Sequence, residues 1–336
     1  MKERAAFGDS RRLTTPQNFA EWAARAAAPR PLALDWPKSP FAACVVTVAT
    51  GYPPGVLKPL VLSLRAHCDA PLVIATDRGD ELARAFPDAG LVIFPVAPAQ
   101  GYRPYPALAR IEFYLQILAS LPEGVERLLL VDSRDVLFQA DPFAGLKHAS
   151  LEFFDENDDT ASWTLATTNG RWARLMLPRP LSRALEGKPI VNGGVIAGTP
   201  QGIAAMCRAK LDIGLATHEW TKHTTGLDNI STNVVAHGRV APGAEVTRNH
   251  THVANVYRDT AMTVTVDGRI ASPGGRICPI VHMYDRRPDL LAHVNATFGV
   301  DGGGLVLGHD RSLKRAQPFA NTRHWMKLAR IRMMGR

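Results

Sequence analysis

The chain has few cysteines and no long apolar run. Four of its 336 residues are cysteine, and no two of them form a CxxC pair. This spacing argues against a zinc site, and so few thiols in so long a chain argue against a disulfide framework. No stretch approaches the roughly 18 apolar residues of a membrane-spanning helix, and no apolar segment follows the charged N-terminus as in a secretory signal. We therefore expect a cytoplasmic protein with reduced thiols.

Three familiar motifs are missing as well. No GxGxxG follows the first predicted strand, which argues against a nicotinamide cofactor. No GxxxxGK[ST] sequence occurs, which excludes a P-loop, and no GxSxG sequence marks a nucleophile elbow. Hydrophobic residues make up 46% of the chain and charged residues 21%, as in an ordinary globular protein. The sequence therefore predicts a folded domain whose chemistry depends on other residues.

The excess of positive charge is confined to the C-terminal end. Residues 311–336 contain eight of the 39 Lys and Arg residues and no Asp or Glu, which leaves the rest of the chain neutral. This segment has two interpretations: a solvated disordered tail, or a basic amphipathic helix on an anionic membrane surface. We expect peripheral contact with the inner face of the membrane. Nucleic-acid binding is not expected, because the body is neutral and has no interleaved aromatic platform.

Strands and helices alternate through the first half of the chain. Apolar runs at 41–49, 71–75 and 91–96, and the segment 125–131 that ends in Leu-Leu-Leu-Val, predict buried strands. Segments with apolar residues at helical spacing lie between them. This order is typical of an α/β protein with a mostly parallel open sheet and helices on both faces. The second half predicts another strand at 190–197, two helices, a small antiparallel hairpin at 261–270 and a last strand at 277–281. We divide the chain into an N-terminal arm (1–40), one domain (41–308) and a basic tail (309–336).

The strongest candidate site lies in the segment LLLVDSRDVLF, where Asp132 and Asp135 follow a buried strand. Carboxylates at a strand edge are costly to bury unless they pair or hold a cation. Oxygen ligands suit Mg²⁺ or Mn²⁺, and ligands of open α/β sheets collect at the carboxyl ends of strands. The spacing alone leaves two interpretations: a divalent metal site, or a structural turn in which Arg134 pairs with an aspartate.

A second motif is Asn192-Gly193-Gly194, which opens a predicted strand. Two glycines beside a strand allow close approach of a ligand to the backbone. The alternative is a glycine bulge that bends the strand.

Two further polar positions complete the set. Asp228 and Asn229 stand at the start of a predicted helix, with Asn233 one turn further, and helix capping is the alternative to a role in a site. His282 ends the last predicted strand. Its neutral imidazole is a candidate metal ligand, and a hydrogen-bonded structural histidine is the alternative.

In this order the motifs resemble those of the GT-A type nucleotide-diphospho-sugar glycosyltransferases, particularly the glycogenin and lipopolysaccharide galactosyltransferase-like group. The resemblance covers about residues 41–290. It implies a Rossmann-like GT-A fold and Mn²⁺ (or Mg²⁺) held against the donor diphosphate by Asp132, Asp135 and His282. Two residues separate the aspartates here, where the family usually has one. The glycine- and lysine-bearing continuation usual after the family's histidine is missing, and Arg286 or Arg287 is expected to replace it.

The resemblance also implies roles for residues around the metal. Asn192, Asp228 and Asn229 are expected to face the transferred sugar as catalytic residues. The residues expected to bind the donor are Thr50, Tyr52, Asp77, Arg110, Asp132, Arg134, Gly193, Gly194, Asn233 and Arg286.

The implied function is transfer of a sugar from a nucleotide-diphosphate donor, with a UDP-sugar favoured, to a glycan, lipid-linked or other hydroxyl acceptor. No residue stands out as a general base, which fits a retaining hexosyltransferase. Two alternatives use the same residues: a metal-dependent nucleotide-sugar phosphoesterase or pyrophosphatase, and a non-catalytic sugar-nucleotide binding module.

Overall fold

A computed structural model of the chain describes residues 16–96, 106–156, 170, 173–174, 176–217, 224–238, 241–257 and 261–300. The predicted basic tail, residues 1–15 of the predicted arm and the last eight residues of the predicted domain lie outside these ranges.

The helices are α1 (Pro16–Ala27), α2 (Pro54–Arg65), α3 (Gly79–Ala85), α4 (Pro106–Ala119), α5 (Arg179–Ala184), α6 (Pro200–Thr217), α7 (Thr224–His237), a 3₁₀ turn (Tyr284–Arg286) and α8 (Pro288–Phe298). The strands are β1 (Ala43–Val48), β2 (Leu72–Thr76), β3 (Leu91–Pro95), β4 (Arg127–Val131), β5 (Val136–Phe138), β6 (Leu151–Asp155), β7 (Val191–Gly198), β8 (Ala244–Thr247), β9 (Val253–Asn255), β10 (Thr263–Val264), β11 (Ile270–Ala271) and β12 (Ile280–His282).

The main sheet has seven strands in the order β3-β2-β1-β4-β7-β6-β8. The first four run parallel, β7 is antiparallel to both β4 and β6, and β6 is parallel to β8. The predicted α/β class with a mostly parallel sheet is confirmed. The strands β6 and β8 were not predicted, because β6 carries two acidic residues and β8 is a half-exposed edge strand.

Apolar side chains cover the main sheet on both faces. Helices α1, α4, α6 and α7 pack on one face, and α2 and α3 pack on the other. The continuous apolar character of β1, β2 and β4 follows from this double burial. The predicted helices on both faces are therefore confirmed.

Helix α1 is part of the folded domain, although its sequence lies in the predicted N-terminal arm. Phe19 and Trp22 are fully buried, and α1 packs against α4 and α6. The Trp22 indole donates a hydrogen bond to the Glu112 carboxylate at 2.9 Å. Gly214 provides room for Phe19, since a β carbon at that position would lie 2.5 Å from the Phe19 ring.

A small three-stranded sheet, β5-β12-β9, packs beside the end of β4. β12 lies between the other two strands, antiparallel to β5 and parallel to β9. The predicted antiparallel hairpin is present as β10–β11. In the part of the chain that the structure describes, no helix combines the length and apolar character needed to cross a membrane.

Candidate metal centre

The two sheets meet at the carboxyl end of β4. Asp132 follows β4 directly, and its backbone N–H donates to the Gly194 carbonyl at 2.7 Å. Because β7 is antiparallel to β4, the first residues of β7 lie beside the last residues of β4. The Asn192-Gly193-Gly194 motif and the aspartate motif therefore share one edge of the main sheet.

The small sheet brings His282 to the same place. His282 pairs with Val136 in the β12–β5 register, and the next backbone N–H, that of Met283, donates to the Asp135 carbonyl at 2.8 Å. The chain turns sharply after His282, because Met283 has a φ of 64°, in the left-handed region. Strand pairing thus places the distant histidine next to the second aspartate.

Asp132, Asp135 and His282 form a group that could hold a metal ion, with one potential ligand atom from each residue and all three atoms within 4.8 Å of one another. His282 Nε2 lies 3.5 Å from an Asp132 oxygen and 3.9 Å from an Asp135 oxygen. Two ligands that share an ion at about 2.1 Å can stand up to about 4.2 Å apart. Both distances from the imidazole to the carboxylates fit such an ion.

The imidazole nitrogen that faces the carboxylates has no hydrogen-bond partner. His282 is buried, and its Nε2 is among the buried side-chain atoms without a partner in the described residues. A separation of 3.5 Å from Asp132 is too long for a well-formed hydrogen bond. An unsatisfied buried nitrogen is costly, and a cation between Nε2 and the carboxylates would satisfy it.

Electrostatics in the cluster also favour a cation. Burial raises the pKa of Asp135 above its ordinary value. Burial acts in the same way on Asp132, but Arg110 and His282 outweigh it and hold the pKa of that carboxyl well below its usual range. For His282, burial lowers the pKa, but the two carboxylates outweigh burial and the pKa is raised. Without a metal ion, the imidazole therefore tends to take up a proton and to become the cation of the cluster.

A line of alternating charges leads away from the cluster. Arg110 donates to Asp132 at 2.7 Å, and its other terminal nitrogen donates to Asp228 at 2.5 Å and to the Gly193 carbonyl at 3.2 Å. Lys210 donates to the second Asp228 oxygen at 2.7 Å. Lys210, Asp228, Arg110 and Asp132 are therefore joined by consecutive ion pairs. Asp228 lies in the second turn of α7, so the helix-capping interpretation of this residue is wrong.

Sequence reasoning missed Lys210, although a signal was present. Lys210 is 3% exposed and lies on α6 among the buried residues Met206, Cys207 and Leu211. A lysine on the apolar face of a helix requires a buried acidic partner. That pattern marks Lys210 as a core ion-pair residue, and the structure supplies Asp228 as its partner.

Glycine is required where β7 passes the three candidate metal ligands. A β carbon on Gly194 would lie 2.4 Å from His282 Nε2 and 2.6 Å from an Asp132 oxygen. The Gly194 backbone N–H is held by the Asn192 side chain at 2.6 Å, and the Asn192 amide donates to Glu156 at 2.9 Å. Glu156 was not predicted from the sequence, and burial raises its pKa.

Asn233 lies in α7 with its side chain turned to the backbone of β7. Its amide donates to the Val191 carbonyl at 3.0 Å and accepts from the Val191 N–H at 2.8 Å. It also donates to the Asn229 carbonyl one turn earlier at 2.9 Å. Asn233 therefore joins α7 to β7, whereas Asn229 is partly exposed.

The predicted nucleotide-binding residues lie at the carboxyl ends of β1 and β2. Asp77 follows β2, and its carboxylate accepts a hydrogen bond at 2.7 Å from the Gly51 N–H, in the turn after β1. Thr50 precedes that glycine, and Tyr52 packs partly buried against the α2 side of the core. These residues share the sheet edge with Asp132, since β1 and β4 are adjacent and parallel.

Besides Arg110, the predicted donor-binding arginines are Arg134 and Arg286, which differ in their surroundings. Arg134 donates to Asp285 at 2.8 Å and lies 3.9 Å from Asp135. The predicted pairing of Arg134 with an aspartate of its own motif is therefore only a long contact. Arg286 is exposed, and its guanidinium lies 5.6 Å from the centre of the Tyr257 ring.

Comparison of the sequence with protein-family models and with curated proteins finds no match.

Proposed function

We propose that this protein is a metal-dependent glycosyltransferase that moves a sugar from a nucleotide-diphosphate donor, with a UDP-sugar favoured, to a hydroxyl of a glycan or lipid-linked acceptor. The observation that carries the proposal is the Asp132, Asp135 and His282 cluster at the carboxyl edge of the main sheet. Ligands of open α/β sheets bind at this edge, beside the point where the strand order reverses. That point lies between β1 and β4, and Asp132 directly follows β4.

The residues of the cluster fit a divalent transition-metal ion. Two carboxylates and one imidazole nitrogen suit Mn²⁺ better than Mg²⁺, which prefers oxygen ligands alone. When bound, such an ion stabilises the negative charge that develops on a leaving nucleotide diphosphate. Asp132 and Asp135 would supply carboxylate oxygens, and His282 would supply Nε2.

Arg286 supports the binding of a diphosphate. Its guanidinium is exposed and lies over the Tyr257 ring, close to the turn that follows His282. A planar guanidinium matches the geometry of phosphate oxygens. Arg134 is less available, because Asp285 already binds its guanidinium.

Asp228 is held in place by two ion pairs. Both of its oxygens are engaged by cations, one by Arg110 and one by Lys210, and the residue is 5% exposed. A carboxylate held in this way is poorly placed to take a proton from an acceptor hydroxyl. The arrangement agrees with a retaining reaction in which the leaving diphosphate, rather than a protein base, assists the acceptor.

The test is a thermal-shift screen of the purified protein against UDP-, GDP- and ADP-sugars, with and without Mn²⁺. We expect a UDP-sugar to raise the Tm only when Mn²⁺ is present, because a ligand that binds the folded state stabilises it. Asp135→Ala should abolish the shift, whereas Asp88→Ala, at an exposed position before the amino end of β3, should keep it. The proposal fails if no sugar nucleotide stabilises the wild type and Asp135→Ala behaves like the wild type.

The products of the reaction separate transfer from the two alternatives. Incubation of the stabilising donor with candidate glycan and lipid-linked acceptors should yield a glycosylated acceptor and a nucleoside diphosphate. Fast hydrolysis of the donor without acceptor would instead indicate a phosphoesterase or pyrophosphatase. Tight donor binding with no turnover under any condition would indicate a binding module.

A further inference from the structure

Asn255 occupies a buried position directly beside the candidate metal ligand His282. It ends β9, and the parallel pairing of β9 with β12 sets Asn255 opposite His282. Paired residues in adjacent strands direct their side chains to the same face of the sheet. The two side chains meet, with the Asn255 amide oxygen 2.8 Å from His282 Nδ1.

The orientation of the Asn255 amide follows from its second hydrogen bond. Its nitrogen donates to the Asp155 backbone carbonyl at 2.7 Å. The oxygen therefore faces His282, and a carbonyl oxygen can only accept a hydrogen bond. Nδ1 of His282 must then carry the proton, which leaves a lone pair on Nε2 when the ring is neutral.

Neighbouring groups also fix the backbone of Asn255. Its backbone N–H donates to the Asn249 side-chain oxygen at 2.8 Å, and the Asn249 amide donates to the Asn255 carbonyl at 3.2 Å. Asn249 is itself fixed, since its own backbone N–H donates to the Asp155 carboxylate. Asn255 is fully buried, so water does not compete for these bonds.

We infer that Asn255 is a positioning residue that makes His282 present the Nε2 lone pair to a metal ion. The nitrogen so presented lies 3.5 Å from Asp132 and 3.9 Å from Asp135. Without an acceptor at Nδ1, the neutral ring is more stable with its proton on Nε2, because Nε2–H can then donate a hydrogen bond to a carboxylate. That tautomer has no lone pair for a metal. The neutral amide selects the tautomer without adding a third negative charge to the cluster. This inference rests on the metal site of the proposed function.

The first test uses full-length metal-free protein labelled with ¹⁵N-histidine, in alkaline solution where the ring is neutral. NMR distinguishes the two tautomers, and the signal lost in His282→Gln identifies His282. We expect Nδ1 to be protonated in the wild type and Nε2 to be protonated in Asn255→Leu. An Nε2-protonated ring in the wild type overturns the inference, and this result does not depend on the folding of any Asn255 variant.

The second test measures the Kd for Mn²⁺ by electron paramagnetic resonance. Loss of an outer hydrogen-bond partner of a metal-binding histidine costs about 10- to 100-fold in affinity, and we expect that loss in Asn255→Leu. The matched control is Gln139→Leu, which removes a buried amide that bonds the backbone around β11 and should leave the Kd unchanged. An unchanged Kd in folded Asn255→Leu overturns the inference. If the wild type binds no Mn²⁺, the metal-dependent function fails, while the tautomer measurement still decides the role of Asn255.

Discussion

Gly194 and His282 meet so closely that no side chain larger than hydrogen fits between them. A β carbon on Gly194 would lie 2.3 Å from His282 Cε1 and 2.4 Å from Nε2. The backbone of β7 therefore forms one wall of the candidate metal centre. The register between β7 and β6 also shifts at this segment, as the predicted bulge requires, and the contact with His282 gives a second reason for glycine at position 194.

We expect Gly194→Ala to weaken metal binding. The added methyl group would displace the imidazole or the Asp132 carboxylate, and mispositioned ligands should weaken Mn²⁺ binding by at least about tenfold. Isothermal titration with Mn²⁺ measures the effect. The control is Gly55→Ala, because a β carbon there meets nothing within 4 Å. Equal Mn²⁺ affinities in the two variants would show that β7 does not border the metal centre.

We expect His282 to make the stability of the metal-free protein depend on pH. Burial lowers the pKa of His282, but Asp132 and Asp135 outweigh burial, so the folded pKa lies above the unfolded value of about 6.5. The stabilisation by the protonated ring is fully present below that unfolded value and is lost as the pH rises through the folded pKa.

Chemical denaturation of metal-free wild type and His282→Gln across the neutral range measures this effect. The difference in the free energy of unfolding between the two proteins should shrink as the pH rises. Mn²⁺ affinity should change in the opposite sense and increase with pH, because the metal needs the neutral ring. A stability difference that grows with pH would contradict the assignment.

We expect Lys210→Met to destabilise the fold strongly. Lys210 and Asp228 have side chains 3% and 7% exposed, and removal of one partner of a buried ion pair costs about 3–5 kcal/mol. Urea denaturation gives the free energy of unfolding. Lys147→Met removes a pair with Glu245 in which both side chains are largely exposed, so it should cost less than about 1 kcal/mol. Similar losses in both variants would argue against a buried ion pair at Asp228.

We expect Phe19 and Gly214 to be energetically coupled. Phe19→Ala should cost about 3–5 kcal/mol as a large-to-small core change, and Gly214→Ala should cost about 1–3 kcal/mol because its methyl group meets the Phe19 ring. In the double variant the methyl group enters the space left by the ring, so the two losses should not add. Denaturation of the four proteins measures the coupling. Additive losses would mean that α1 does not pack on Gly214.

The parts of the fold that local sequence predicts are those that depend on local burial. The strands β1 to β4 and the helices between them follow from apolar runs and helical spacing, and β1, β2 and β4 are apolar throughout most of their length because they are covered on both faces. The position of Asp132 and Asp135 also follows from local sequence, because acidic residues directly after a buried strand lie at the edge of the sheet. The strand β6 escaped notice because Glu152 and Asp155 interrupt its apolar character, although both are buried.

Other predictions depend on where side chains point, which spacing does not specify. Asp228 and Asn233 stand five residues apart on α7, and the sequence predicts that both face a ligand. In the structure the Asp228 side chain pairs with Lys210 and Arg110, and the Asn233 side chain bonds the backbone of β7. These partners come from α6, α4 and β7, so no local pattern around α7 identifies them.

Alternation of apolar strands and helices was enough to predict the α/β class and the acidic edge after β4, because a strand buried on both faces consists mainly of apolar residues. Long-range packing settled the rest of the site. β12 inserts between β5 and β9, and this pairing brings His282 to the aspartates and Asn255 to His282. Such pairing depends on which distant strands bury one another's side chains, a property of the whole fold rather than of any one segment.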